Sequence, residues 1–202
     1  MQNVFKEFNI ADWFSFYRIL ALPFLLLLLA LGIREWFAVF LLISYSTDAI
    51  DGFLARKLKI SSARGSQLDS IGDQLTLLAG LAGLLVFETE FIRANVLIIV
   101  LALIPYLVQL AMAFKKYGKA TAFHTYLAKV SAILQATFIV WALFFGPVYW
   151  LFYFMIAVGV LETFEEISLI IIHDEWVSDV KSIFCLPKKS RNKDSGDYTN
   201  LA

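Results

Sequence analysis

The chain has one cysteine, Cys185, among 202 residues, so no disulfide can form within it. It also lacks net charge: 17 Lys and Arg balance 17 Asp and Glu. Bulk charge therefore singles out no partner, and no nucleic acid is expected among them; where the charges lie matters more. No internal repeat is visible. Residues Met1 to Asp12 carry acids and do not resemble a cleavable signal peptide. What the chain has in excess is apolar surface. Hydrophobic residues make up 60%, with 19 phenylalanines, and the mean hydropathy is +0.74. Soluble domains sit nearer half apolar. The expectation is an all-α integral membrane protein.

Six apolar stretches approach the roughly 20 residues that a helix needs to cross a bilayer. They fall at about 13–32, 35–55, 67–88, 94–114, 126–145 and 149–172. Pro23 and Arg18 lie in the first, and Pro105 predicts a kink in the fourth. Gly146-Pro147 predicts a tight turn between the fifth and sixth. Residues 1–12 read as a short interfacial helix, with Val4, Phe5 and Phe8 on its apolar face. Residues 1–175 form one membrane domain on this reading. Residues 176–202 form a cytoplasmic tail, polar and disordered from 188 onward.

The cations fix the orientation. Arg56, Lys57, Lys59 and Arg64 lie between spans two and three. Lys115, Lys116 and Lys119 lie between spans four and five, and the tail carries five more cations. The opposite side has only Arg34 and Arg93. Both termini are thus expected in the cytoplasm.

The chemistry is concentrated between residues 48 and 73. Asp48 and Asp51, three apart, share a face of one helix; Asp69 and Asp73, four apart, share a face of the next. The connection between them, Lys57 to Arg64, reads as a short basic loop, which makes the helices antiparallel neighbours. Four carboxylates meeting beside apolar segments are costly unless cations compensate them. All-oxygen ligation favours hard ions such as Mg²⁺, Mn²⁺ or Ca²⁺, and room for two suggests phosphoryl chemistry. Gly52 and Ala55 leave the helix bare beside the acids. Arg56 offers a charge to a phosphate oxygen. Simple ion pairing with Arg18, Arg56 or Arg64 would explain one or two acids, not four in register.

These residues resemble the signature of the CDP-alcohol phosphatidyltransferases: Asp-x-x-Asp-Gly-x-x-Ala-Arg, eight residues, Gly, three, Asp, three, Asp. Asp48, Asp51, Gly52, Ala55, Arg56, Gly65, Asp69 and Asp73 occupy all eight fixed positions. The resemblance implies a six-span membrane enzyme of phospholipid biosynthesis. It would transfer a phosphatidyl group from CDP-diacylglycerol to a small polar alcohol, releasing CMP. Asp48, Asp51 and Asp69 would ligate two Mg²⁺ or Mn²⁺ ions, with Asp73 as a further ligand and as general base. Asp51, Gly52, Ala55, Arg56, Gly65 and Asp69 would hold the donor nucleotide, with Gly65 allowing close approach of the loop. A homodimer is implied, with the site open to the cytoplasm and the inner leaflet; the compact size of the chain points to a bacterial inner membrane.

Small size and the lysines near span five, Lys119 and Lys129, favour a phosphorylated acceptor such as glycerol 3-phosphate, as in phosphatidylglycerophosphate synthases. Those enzymes usually carry an Arg-Glu pair in span four, where this chain reads Leu103-Ile104-Pro105-Tyr106; Gln74 stands where the family often has Lys. Inositol phosphate or another alcohol is the alternative acceptor. His124 and Tyr126 are weaker candidates beside the lysines. Glu162, Glu165 and Glu166 share a face of span six and are expected to pair with Lys129 or Arg18, or else to mark a polar cavity; Arg18 is expected to pair with an acid of the bundle. Cys185 reads as an inert thiol. A cation or proton transporter using intramembrane carboxylates is the rival from another class. Its acids should lie near the midplane, whereas the motif acids sit at one membrane face beside a basic loop.

Overall fold

Six long apolar segments fold into six helices. They are α1 (Ile10–Ala30), α2 (Arg34–Leu58), α3 (Ala63–Phe87), α4 (Thr89–Tyr117), α5 (Tyr126–Phe145) and α6 (Tyr149–Ile172). The structure is a computed structural model. It describes residues 10–58, 63–121, 123, 125–177, 180 and 182, and the backbone alone for residues 10–16, 19, 48–58 and 63–71. Among the described residues there is no strand.

The helix ends follow local chemistry. At the end of α1, Gly32 takes φ 70°. Its N–H donates to the Leu29 carbonyl at 3.1 Å, and that of Ile33 to Leu28 at 3.0 Å. These two bonds form a Schellman motif, which closes carbonyls the helix leaves open. Lys115 and Lys116 sit in the last turn of α4, where cations suit the helix dipole. The Thr125 hydroxyl caps α5 by accepting from Ala128 N–H at 3.1 Å. Gly146 caps the end of α5, and Gly146, Pro147 and Val148 alone separate α5 from α6, the tight turn the sequence predicts.

Several boundaries differ from the sequence reading. Residues 10–12, expected in an interfacial helix, continue into α1; residues 1–9 lie outside the described set. The expected loop from Lys57 to Arg64 is helical at both ends, because α2 runs on to Leu58 and α3 starts at Ala63; residues 59–62 lie outside the described set. Alanine, arginine, lysine and leucine are good helix formers, so the helices overrun their apolar limits. Gly65 thus belongs to the first turn of α3 rather than to a loop. Helix α4 starts five residues before the expected span and runs unbroken through Pro105.

Short connections make successive helices antiparallel. Helix α1 packs on α2 and α3; α2 and α3 pack on each other and on α5; α6 packs on α5 and α4. The main apolar core lies at the end where α2, α4 and α6 begin. Leu25, Phe37, Leu41, Ala79, Phe138 and Phe152 meet there, all buried. The Phe91 ring stands edge-on to Phe152, centroids 5.0 Å apart. Arg34 locks this end: its Nε and one terminal nitrogen donate to the Leu143 and Ala142 carbonyls, each at 2.8 Å, and it pairs with Glu88. A cation there faces the negative end of the α5 dipole.

The outward surface is apolar. On α4, Leu97, Val100, Leu101, Ile104, Leu107 and Val108 are all exposed. Helices α4 and α5 are long and apolar enough to cross a membrane.

Candidate active site

The motif lies at the end of the bundle away from the main core. Its first half occupies the last turns of α2: Asp48, Asp51, Gly52, Ala55 and Arg56 are all helical. Its second half, Gly65, Asp69 and Asp73, occupies the first turns of α3. Four residues separate the helices, and the helices pack on each other. The backbone therefore brings the two halves to the same end of the fold. Helical register places Asp48 with Asp51, and Asp69 with Asp73. The side chains from Asp48 to Asp69 lie outside the described residues.

Asp73 is the motif carboxylate whose side chain is described. Arg18 of α1 donates to its Oδ1 and forms an ion pair with it. The Arg18 side chain is 0% exposed, that of Asp73 49%. Ion pairing between Arg18 and an acid of the bundle is what the sequence anticipates, and the acid belongs to the motif. Next to Asp73, Gly72 makes this possible: a Cβ there would lie 3.3 Å from both Cζ and Nε of Arg18. Thr76, one turn on, returns its hydroxyl to the Gly72 carbonyl at 2.8 Å.

The same end of the bundle carries a second polar group that sequence reasoning missed. Gln109 of α4 is buried and donates to Glu166 Oε2 at 2.6 Å and to the Thr121 hydroxyl at 2.9 Å. Thr121 donates to the same Glu166 oxygen at 2.7 Å. Two donors thus converge on one carboxylate oxygen, and bonds to a charged acceptor are the strong ones. The signal was a lone amide, Gln109, within an apolar run. Ser182 donates to Glu165 at 2.9 Å.

The connection from α4 to α5 is stitched to the chain after α6. Tyr117 donates its hydroxyl to the His173 carbonyl at 2.6 Å, and Trp176 its indole N–H to the Ala120 carbonyl at 3.1 Å. Lys119, a candidate acceptor residue, lies with Nζ 3.6 Å above the Trp176 ring. That is cation–π distance. Lys129, the other candidate, is exposed in the first turns of α5, 5.8 Å from the Tyr126 ring. His124 and Cys185 lie outside the described residues.

Among the described residues no group of three or more His, Cys, Asp or Glu side chains is placed to hold a metal ion. Asp73 alone represents the motif in that set. The donor chemistry of the four aspartates, carboxylate oxygen throughout, nonetheless suits a hard divalent ion.

An all-helical bundle with the paired-aspartate motif at one end of two neighbouring helices defines a class, and the family comparison agrees with it. The model of the CDP-alcohol phosphatidyltransferases matches residues 8–163. The chain belongs to this family. Comparison with curated proteins found no match, and comparison with solved structures found none. Membership implies a transferase that moves a phosphatidyl group from a CDP-alcohol substrate in phospholipid biosynthesis. The family generally uses divalent metal ions. Together with the apolar helices it indicates a membrane protein.

Proposed function

We propose that this chain transfers the phosphatidyl group of CDP-diacylglycerol to glycerol 3-phosphate, in the manner of the small bacterial phosphatidylglycerophosphate synthases. The observation that carries the reading is the complete eight-position motif, split between two successive helices that pack on each other. All six helices cross the membrane on this reading, with the exposed apolar side chains facing lipid. The motif end faces the cytoplasm of a bacterial inner membrane, and the protein works as a homodimer.

Asp48, Asp51, Asp69 and Asp73 would hold two Mg²⁺ or Mn²⁺ ions, which neutralise charge on the donor pyrophosphate when bound. Asp73 takes the proton of the acceptor hydroxyl as that oxygen attacks the β-phosphorus in line. The bond from the β-phosphorus to the bridging oxygen breaks, and CMP leaves with the electron pair. Gly52, Ala55 and Gly65 keep the helix faces bare for the nucleotide, and Arg56 meets a phosphate oxygen. Lys119 and Lys129 supply positive charge for the acceptor phosphate. Lys119 would leave Trp176 to do so.

The test is CMP release by the purified protein in detergent with CDP-diacylglycerol. Glycerol 3-phosphate, inositol 1-phosphate, inositol, serine and phosphatidylglycerol are supplied one at a time. Release with glycerol 3-phosphate alone supports the full reading. Release with another acceptor keeps the transfer and replaces the acceptor.

A further inference from the structure

Arg18 lies on α1, thirty residues before the motif begins, yet its side chain is fully buried and reaches a motif acid. Burying a guanidinium is costly unless it is paired, and a buried pair is weak evidence of stability alone. Among the described residues it pairs with the half-exposed Asp73. One carboxylate oxygen is therefore tied to a rigid, permanently charged fork, in a side chain that is half exposed.

The neighbouring residues fit this arrangement closely. Gly72 lets the guanidinium lie against the α3 backbone, with Cζ and Nε each 3.3 Å from where a Cβ would stand. The guanidinium is thus held from two sides, by the carboxylate and by the bare helix surface. The adjacent hydroxyl of Thr76 bonds within α3.

We propose that Arg18 is a positioning residue, which fixes the Asp73 carboxylate in the orientation that metal binding and proton transfer require. This rests on the role proposed for Asp73. Partners that orient ligating carboxylates matter to a metal site nearly as much as the ligands. Lysine keeps the charge at position 18 but not the planar fork, so it should not substitute.

The experiment compares the wild type with Arg18→Lys, Arg18→Gln and Gly72→Ala, each purified in detergent. Mn²⁺ affinity is measured on metal-free protein by paramagnetic resonance, without substrate. The values of kcat and KM for the acceptor that serves the wild type are then measured. The expected result is Mn²⁺ binding weakened by about 10- to 100-fold in both Arg18 variants. Their kcat should fall while the acceptor KM stays within about threefold, as for a group acting in the transition state. Gly72→Ala, which pushes the guanidinium without removing it, should show the same pattern more weakly. Folded variants with lower melting temperature but unchanged Mn²⁺ affinity and kcat would overturn the proposal and leave a structural pair. If the Arg18 variants do not fold, Gly72→Ala decides, and wild-type values there overturn it. A wild type that neither binds Mn²⁺ nor releases CMP defeats the underlying function, and this inference with it.

Discussion

Gly83 of α3 touches the Phe37 ring of α2 so closely that a Cβ at Gly83 would lie 2.4 Å from Phe Cε1. Phe37 is fully buried and cannot swing out, since it packs against Phe87 with centroids 5.7 Å apart. The contact sets how near α3 can come to α2, the two helices that carry the motif. Overpacking a fitted core typically costs about 1–3 kcal/mol. Gly83→Ala is expected to lower thermal stability by that amount, and Phe37→Leu in the same chain to recover part of it. Melting in detergent checks both.

Arg34 ties the start of α2 to the end of α5 and to Glu88. It precedes Asp48 by fourteen residues, about 21 Å along a helix. Arg34→Ala should therefore cost stability, about 1–3 kcal/mol for a lost charged bond, and leave kcat of the folded protein unchanged. A fall in kcat without a fall in melting temperature would contradict this.

Gln109 and Thr121 share the Glu166 oxygen. Gln109→Leu removes one donor and leaves a partly buried carboxylate with fewer bonds. The expected loss is about 1–3 kcal/mol, read as a lower melting temperature. Glu166→Gln keeps an acceptor oxygen and should lose less.

Lys119 and Lys129 are proposed to meet the acceptor phosphate. Replacing either with alanine should raise KM for glycerol 3-phosphate by about tenfold, one charge-assisted bond of roughly 1.4 kcal/mol. KM for CDP-diacylglycerol should stay the same. If Trp176→Ala, which frees Lys119, raises the acceptor KM as much, the stacked position is itself the working one.

The helices were legible because the apolar runs are long and, at Gly146-Pro147, the end carries a plain signal. The fifth and sixth were read to the residue. Where α2 and α3 approach each other, the reading fell short, since Lys57 and Arg64 look like loop residues but are good helix formers. The four acids proposed for the site stand out by their spacing. That Arg18 would pair with an acid of the bundle was legible; which acid was not. That Arg18 meets Asp73 depends on how α1 packs on α3, and that Glu166 is held by Gln109 and Thr121 depends on α4 lying against α6. Such partners lie 45 to 57 residues apart, and no local pattern encodes them.

The most direct test of the proposed chemistry follows one phosphorus atom. CDP-diacylglycerol labelled with ³²P at the β-phosphorus is incubated with the purified protein, glycerol 3-phosphate and Mg²⁺ or Mn²⁺. A chelator control and the Asp73→Asn variant run in parallel. The label should appear in a new lipid carrying the acceptor, with unlabelled CMP released in equal amount. Chelation should stop the transfer. Asp73→Asn should slow it by at least the 100-fold typical of a lost general base, while remaining folded. No labelled lipid product from the folded, metal-loaded protein, or full activity in Asp73→Asn, would contradict it.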